Sequence, residues 1–317
     1  MVDRNGSLRV RAGLPVVVIG ELLVDIVRAP DGSTVEHVGG SPANVALGLA
    51  RLAHDTHFAT LVGTDARGER CTSHVESGGV HLLPGSTSPT HPTSTAVATI
   101  DATGAATYDF DLHWDLPPVQ FPEGTGHVHT GSIATTLTPG EARVTEALSG
   151  ARLHATVSYD PNMRPSIMGE AARVRDRVEE LVAFSDVVKC SEDDIEWLYP
   201  AESPAQVMSR WAGLGASLVV VTLGGEGVVW RAPDGVEGGA PARVDSVVDT
   251  VGAGDSFMAG LVSGLLDAGF LGGPEARRRL CTAPAGAVAP AIDRALSTSG
   301  VTVRHAGAYA PTREEIA

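Results

Sequence analysis

The sequence of 317 residues predicts an α/β protein whose helices cover both faces of a mainly parallel β-sheet. Short apolar runs of strand length, such as Val16–Ile19 and Ser217–Leu223, alternate with segments of helix length. Such alternation provides the crossover connections that parallel strands require, and it predicts three α/β/α layers. Hydrophobic residues make up 43% of the chain and charged residues 19%, so a large core is expected rather than disorder.

In the first part of the chain, a buried strand at Val16–Ile19 ends at Gly20. A helix is predicted over Pro42–Ala53, with Ser41 as its N-cap and proline at the first helical position. The next predicted elements are a strand at Thr56–Val62 and a helix from Arg67 to Ser77, closed by two glycines.

A β-excursion interrupts this alternation. Thr95–Ile100 and Ala106–Phe110 are predicted strands joined by the turn signal Asp101–Gly104, which is typical of a hairpin. We interpret this part of the chain as a lid, with segments at about residues 22–38 and 92–114.

Alternation resumes in the second half of the chain. The predicted elements are strands Ala155–Tyr159, Val187–Lys189 and Ser217–Leu223, helices Glu170–Ala183 and Gly254–Ala268, and two alanine-rich helices ending near Val303. No repeat or linker divides the chain, so we expect a flexible tail at residues 1–14 and one domain at 15–317.

The net charge, the cysteine spacing and the first 14 residues indicate which partners and which location to expect. A net charge of −15 argues against nucleic acid or a membrane surface as the main partner. The three cysteines, Cys71, Cys190 and Cys281, are widely spaced, which favours a reducing compartment over a disulfide framework. The first 14 residues lack an apolar signal-peptide core, so a cytoplasmic location is expected.

The strongest functional signal is Gly252-Ala253-Gly254-Asp255 at the start of a predicted helix. Small residues there let several backbone N–H groups converge on one anion, aided by the helix dipole. A carboxylate beside an anion site suits a base that takes a proton from a hydroxyl attacking a phosphoryl group. Taken alone, the stretch also fits a tight turn followed by a helix-start carboxylate.

Two further stretches could contact a polar ligand. Gly39 and Gly40 precede a helix that carries Asn44, whose amide can both donate to and accept from a sugar hydroxyl. Asp25 follows the first strand and Gly20-Glu21, near the sheet edge where α/β proteins bind ligands. Alone, each stretch also fits a structural role, as a glycine turn with a cap or as an exposed charge.

Together, these stretches resemble the ribokinase-like (PfkB) carbohydrate kinases. Residues 39–63 are similar to that family's first signature, and residues 249–261 match the second. One departure is Ala53, where the family usually has glycine or serine. The resemblance extends over about residues 16–312 and implies the ribokinase-like fold and an ATP-dependent sugar kinase.

The resemblance also implies roles for individual residues. Asp255 is implied as the catalytic base, and Arg164 of Asp160-Pro-Asn-Met-Arg164 as a phosphate clamp. The implied anion hole is Gly252, Ala253 and Gly254, and the implied sugar ligands are Asp25, Gly39, Gly40, Asn44 and Asp255.

For the nucleotide, the resemblance implies ATP with Mg²⁺. The implied nucleotide residues are Lys189, Ser191, Asp194, Thr222, Gly224, Gly227, Gly254 and Ser299. Asp194 and Glu192 would hold Mg²⁺ through water, although the family usually has the longer glutamate at position 194. Asp249 lies in a loop that binds a monovalent cation in many members, which leaves a potassium requirement open.

Short cues favour fructose as the sugar. Gly20-Glu21, Gly-Gly-Ser-Pro-Ala-Asn44 and the C-terminal Ala-Gly-Ala-Tyr-Ala-Pro-Thr resemble bacterial fructokinases. The alternatives are a ribose, nucleoside or 2-keto-3-deoxygluconate kinase of the same family, and a sugar-binding regulator without catalysis. A homodimer sealed by the lid strands is expected from the resemblance.

His127 and His129 could also bind a metal from one strand face, but no third ligand is apparent nearby.

Overall fold

The computed structural model describes residues 13–101, 106–244 and 246–317. The predicted tail therefore lies almost wholly outside the described residues, as does most of the turn at 101–104. The strands are β1 Val16–Ile19, β2 Leu23–Arg28, β3 Thr34–Gly39, β4 Thr56–Ala59, β5 Val62–Gly63, β6 His81–Leu82, β7 Thr87–Ser88, β8 Thr95–Ile100, β9 Ala106–Asp111, β10 His127–Gly131, β11 Thr156–Asp160, β12 Val187–Ser191, β13 Leu218–Thr222, β14 Val228–Arg231 and β15 Glu237–Ala240.

Helices connect most of these strands. They are α1 Ser41–Arg51, α2 Ala66–Ser77, α3 Gly140–Ala151, α4 Pro165–Met168, α5 Ala171–Phe184, α6 Glu192–Leu198, α7 Pro204–Leu214, α8 Ala253–Asp267, α9 Pro274–Cys281 and α10 Ala285–Thr302. Within the described ranges, no helix is both long and apolar enough to cross a membrane.

A central sheet of nine strands has the order β15-β14-β13-β12-β11-β10-β1-β4-β6. The strands from β6 to β13 run parallel, and β14 and β15 are antiparallel additions at one edge. Side chains of β1 alternate between two cores: Val16 and Val18 lie in one, and Val17 and Ile19 in the other. This is the mainly parallel sheet with helices on both faces that the sequence predicts.

A second sheet has the order β3-β2-β8-β9 and corresponds to the predicted lid. Its inner face packs Val24, Ile26 and Val97 into the main core. Its outer face leaves Val35 and Tyr108 exposed. The predicted hairpin is present as the antiparallel pair of β8 and β9.

Helix α8 lies against α1 and α10 through close contacts between small residues. A side chain added at Gly260 would place its Cβ 2.2 Å from Thr298 Oγ1 of α10, so glycine is needed for this approach. The contact holds α8 firmly, and with it the Gly252–Asp255 stretch at its start.

Two local predictions were wrong. The predicted strand Thr56–Val62 is divided, because β4 ends at Ala59 and Val62 pairs with Thr87 in a separate two-stranded sheet. Ser41 is not the N-cap of α1: Gly40 occupies that position with a φ of 115°, and Ser41 is already helical. The hydroxyl of Ser41 consequently points elsewhere.

Candidate active site

Asp160, Lys189 and Asp255 lie close together where the carboxyl ends of β11 and β12 meet the N-terminus of α8. Asp160 and Lys189 lie near the ends of adjacent strands β11 and β12. Asp255 lies in the first turn of α8. Parallel strands present their carboxyl ends at one sheet edge, so residues distant in sequence meet there.

Asp255 is the centre of this site and is 7% exposed. Asn44 donates from Nδ2 to Asp255 Oδ2 over 2.8 Å, which joins two stretches 211 residues apart. Ser41 donates from Oγ to Oδ1 over 2.7 Å. Asn162 lies on the same side, with Nδ2 3.4 Å from Oδ1.

The turn before α8 leaves its N-terminus open for an anion. Gly252 is the N-cap of α8 and has a φ of 74°, in the left-handed region. An added Cβ at this position would lie 2.6 Å from the methyl group of Ala308. The first N–H groups of a helix have no partner within it. The N–H of Ala253 donates to the carbonyl of Thr250 over 3.2 Å, so an anion next to Asp255 would be bound by the neighbouring N–H groups at the helix start.

Lys189, the only lysine in the chain, adds positive charge beside this helix start. It is 3% exposed, and Nζ donates to Asp160 Oδ2 over 2.9 Å. A Cβ at Gly254 would lie 3.1 Å from Nζ, which places the ammonium beside the turn. Burial alone would lower the pKa of Lys189, but the charges of Asp160, Asp194 and Asp255 outweigh it and raise that pKa.

Asp160 is a buried carboxylate that the predicted site residues did not include. It is 1% exposed, and burial raises its pKa to about 6 against the opposing effect of Lys189. Its Oδ1 has no hydrogen-bond partner within the described part of the chain. A buried oxygen without a partner is typical of a place where water or a ligand completes the site.

The predicted sugar residues Asp25, Gly39 and Gly40 lie where the lid meets the start of α1. Asp25 is on the lid strand β2, where its side chain is exposed. Its carboxylate occupies the space above Gly39, because a Cβ there would lie 2.0 Å from Oδ2. A Cβ at Gly40 would lie 2.4 Å from the carbonyl oxygen of Glu21. Both glycines therefore allow the chain to pass closely between the lid and α1.

Arg164, the predicted phosphate clamp, is exposed beside this edge. Its Nη1 donates to Asn162 Oδ1 over 2.6 Å and to the carbonyl of Met163 over 2.9 Å. Asn162 itself has a φ of 40°, a conformation that costs energy for a residue other than glycine. Such backbone is found at sites where a side chain must be aimed.

Asp194 is held by the backbone at the start of α6. Its Oδ2 accepts from the N–H of Ser191 over 2.8 Å, within a capping box, and its Oδ1 accepts from the N–H of Met163 over 2.7 Å. Each oxygen keeps one lone pair for a further donor. Glu192, in the same turn, is exposed to solvent.

The other predicted nucleotide residues lie at the end of β13, in the turn after it, and in α10. The Thr222 hydroxyl donates to the carbonyl of Cys190 over 3.3 Å, and the Ser299 hydroxyl donates to the carbonyl of Leu296 over 3.2 Å. Gly224 and Gly227 have φ values of 54° and 112° in the turn between β13 and β14. An added Cβ at Gly224 would meet no atom within 4 Å, so that position is open.

Asp249, the predicted cation residue, joins two loops. Its Oδ1 accepts from the N–H of Val251 over 3.0 Å, and its Oδ2 accepts from the N–H of Gly307 over 2.8 Å. The N–H groups of Gly307 and Val251 lower its pKa, so the carboxylate is stabilised in its charged form. These two hydrogen bonds hold the loop that precedes Gly252 against the C-terminal segment at Gly307.

Sequence reasoning missed Ser41, Asn162 and Glu21. Ser41 and Asn162 lie within recognised motifs, but side-chain direction decides their role. Glu21 is 7% exposed directly after β1, and the N–H of Ala134 donates to its Oε2 over 3.3 Å. Burial raises the pKa of Glu21 to about 7. The sequence signal for Glu21 is a charged residue directly after a buried strand, and that signal was applied to Asp25 alone.

The family model of the pfkB carbohydrate kinases matches residues 15–315 of the chain. This protein belongs to the pfkB family of carbohydrate kinases. The resemblance of the two signatures is thereby confirmed, as is the prediction of a carbohydrate kinase.

Individual relatives of this pfkB kinase agree with the family match. It is 34% identical over 261 residues to a fructokinase from Klebsiella pneumoniae, covering 78% of this chain and 83% of that protein. It is 32% identical over 253 residues to a fructokinase from Vibrio alginolyticus, covering 78% and 82%.

Solved structures confirm the fold class. A fructokinase from Xylella fastidiosa with bound ATP superimposes with a TM-score of 0.83 at 23% identity, covering 96% of this chain and 97% of that one. At this identity, the likeness establishes the ribokinase-like three-layer fold with its lid.

Proposed function

We propose that this pfkB kinase is a fructokinase that transfers the γ-phosphoryl group of ATP to the primary 6-hydroxyl of fructose. The observation that carries the proposal is the carboxylate of Asp255, held by Asn44 over 2.8 Å next to the open N-terminus of α8. A sugar hydroxyl and a phosphoryl group can meet there. The fructokinase names of the relatives support fructose as the acceptor.

In the proposed mechanism, Asp255 accepts the proton of the acceptor hydroxyl while the new P–O bond forms. The N–H groups at Gly252 and Gly254 stabilise the negative charge on the phosphoryl oxygens. The ammonium of Lys189 lies beside Gly254 and lowers the free energy of that charge further. Arg164 can reach the outer phosphates from its exposed position at the edge of the site.

On the sugar side, the proposed ligands are Asp25, Gly39, Gly40 and Asn44. The carboxylate of Asp25 can accept two hydroxyl hydrogen bonds, and the amide oxygen of Asn44 is free to accept a third. Closure of the lid over the bound sugar would exclude water and so limit hydrolysis of ATP.

The residues present fit a hydrated Mg²⁺ bound together with the nucleotide phosphates. Magnesium usually takes one or two protein carboxylates and keeps several waters. Asp194 retains free lone pairs, Glu192 is accessible, and the unpartnered Oδ1 of Asp160 can accept from a metal-bound water. Bound Mg²⁺ would neutralise phosphate charge during transfer. Asp249 remains a proposed residue of a monovalent cation loop.

Measuring ADP release across about ten sugars, with and without K⁺, tests this proposal. Fructose is expected to give the highest kcat/KM among fructose, glucose, ribose, nucleosides and 2-keto-3-deoxygluconate. A higher value for one of the other acceptors would replace fructose. Sugar binding by calorimetry without ADP release would instead favour a non-catalytic regulator.

The remaining proposals concern location and organisation. A cytoplasmic location is supported by the free state of Cys71, Cys190 and Cys281, since a reducing compartment keeps thiols unpaired. A single domain at 15–317 is supported by the sheet that runs from β6 to β15. The outer face of the lid supports a homodimer.

A further inference from the structure

The three donors to Asp255 are divided unequally between its carboxylate oxygens. Oδ1 lies 2.7 Å from Ser41 Oγ and 3.4 Å from Asn162 Nδ2. Oδ2 lies 2.8 Å from Asn44 Nδ2 alone. An ionised carboxylate can only accept, so all three side chains must be donating to it.

The hydroxyl of Ser41 is held in place by its surroundings. Ser41 is 8% exposed and is the first residue of α1. Gly40 before it has a φ of 115° and passes against the Glu21 carbonyl. Pro42 after it fills the space beside Gly20, where a Cβ would lie 2.2 Å from the proline ring. The chain on both sides of Ser41 therefore has little freedom to shift.

Each carboxylate oxygen offers about two lone-pair sites to donors. Ser41 and Asn162 occupy both sites on Oδ1, whereas Asn44 occupies one site on Oδ2. The remaining site on Oδ2 is the one that can receive another proton.

We propose that Ser41 is a positioning residue for the base, and that Asp255 Oδ2 is the oxygen that takes the hydroxyl proton. This inference rests on the proposed kinase function. In the step, the O–H bond of the acceptor breaks and its proton passes to Oδ2 as the oxygen bonds to the γ-phosphorus. The bond from that phosphorus to ADP breaks, and ADP leaves with the electron pair.

Ser41 acts on Asp255 through its hydrogen bond to Oδ1, which prevents rotation of the carboxylate about the Cβ–Cγ bond, so Oδ2 stays aimed at the acceptor. Loss of this donor should therefore lower turnover.

Replacing the hydroxyl tests the assignment. Ser41→Ala is expected to lower kcat about 10- to 100-fold, the range for losing one hydrogen bond to a charged group, with the KM for sugar nearly unchanged. Ser41→Thr, which keeps the hydroxyl, should restore kcat.

Ser185→Ala is the matched control, because it removes a fully buried hydroxyl that donates to the carbonyl of Leu181, away from the site. It should leave kcat unchanged. An active wild type whose Ser41→Ala variant keeps the same kcat would overturn the role of Ser41 alone. A wild type that phosphorylates no sugar would instead reject the proposed function.

Two measurements keep the inference testable if Ser41→Ala does not fold. Asn162→Gly removes the second donor while tolerating the positive φ, and a loss of kcat in the same direction is expected. A sugar-bound crystal structure should place the acceptor hydroxyl within about 3 Å of the oxygen bonded to Asn44. A hydroxyl on the oxygen shared by Ser41 and Asn162 would overturn the assignment.

Discussion

Asp255 lies where two electrostatic demands meet. The N-terminus of α8 favours negative charge, which suits both this carboxylate and an incoming phosphate. Two anions this close together repel each other, unless neighbouring groups stabilise their negative charge. Lys189 and the donors Ser41 and Asn44 provide that stabilisation within one small volume.

Asp255→Asn should therefore lower kcat by ~10²–10⁴, the usual scale for losing a general base. The amide keeps the size of the side chain, so folding and sugar affinity should remain close to wild type. Steady-state ADP release and calorimetric sugar binding measure the two effects.

Asp293→Asn is a suitable control, because Asp293 is exposed on α10 and pairs there with Arg243. Turnover within a few-fold of wild type in Asp255→Asn would show that another group acts as the base.

Ala53 illustrates how a departure from the family signature affects the backbone. It follows α1 with a φ of 61°, where a Cβ costs about 1–2 kcal/mol. Glycine avoids that cost but has a more flexible unfolded chain, which offsets part of the gain.

Ala53→Gly is expected to raise the free energy of unfolding by about 0.5–1 kcal/mol, measured by urea denaturation. The control is Ala172→Gly, at an exposed residue in the first turn of α5, which should lower stability. A loss of stability in both variants would contradict the role assigned to the left-handed position.

At the scale of elements, β10 and β11 share a buried polar stripe. The parallel register places His127 beside Thr156 and His129 beside Ser158. Ser158 Oγ lies 2.9 Å from both His127 Nε2 and His129 Nδ1. His127 and His129, which the sequence offers as metal ligands, are thus hydrogen-bonded to hydroxyls between the strands.

This stripe should make the fold sensitive to acid. Burial, and then the charge of Lys189, lowers the pKa of His129 to about 3, and burial also lowers that of His127. In the unfolded chain a histidine has a pKa near 6.5, so the unfolded state binds more protons below that pH. The free energy of unfolding should therefore fall as pH drops from about 6.5 towards 3.

Urea denaturation at several pH values measures this effect. His129→Gln, which keeps a polar side chain, should reduce the slope by up to about 1.4 kcal/mol per pH unit. The exposed His91→Gln should leave the slope unchanged. An unaltered slope in His129→Gln would mean that other groups cause the acid sensitivity.

At the scale of the whole molecule, the outer face of the lid carries exposed apolar side chains. The strand register aligns Val27, Val35, Ala98 and Tyr108 on that face. Val35 is 52% exposed and Tyr108 62%. A sheet face with exposed β-branched and aromatic side chains favours a partner over solvent.

Sedimentation equilibrium is expected to give twice the chain mass of 32.7 kDa. Val35→Glu should shift the protein towards monomer, because a charge would be buried at the interface. Leu153→Glu, at a side chain that is 82% exposed elsewhere, is the control and should remain dimeric. A monomeric wild type at micromolar concentration would contradict the proposed homodimer.

The alternation of apolar runs was sufficient to predict the parallel sheet, its covering helices and the β8–β9 hairpin. These features depend on periodicity and turn chemistry, which are local properties. The pairing of Asn44 with Asp255 was also accessible, because two long signatures implied a common site. The individual roles of the predicted nucleotide and metal residues stay predictions.

What required the tertiary structure was the direction of side chains and the partners they meet. Ser41 is a residue type typical of an N-cap, yet its hydroxyl donates to the carboxylate of Asp255, 214 residues away. The break between β4 and β5, the unpartnered oxygen of Asp160 and the burial of Glu21 likewise depend on neighbours distant in sequence. Local propensity carries no information about such contacts, since they arise only when strands and helices pack together.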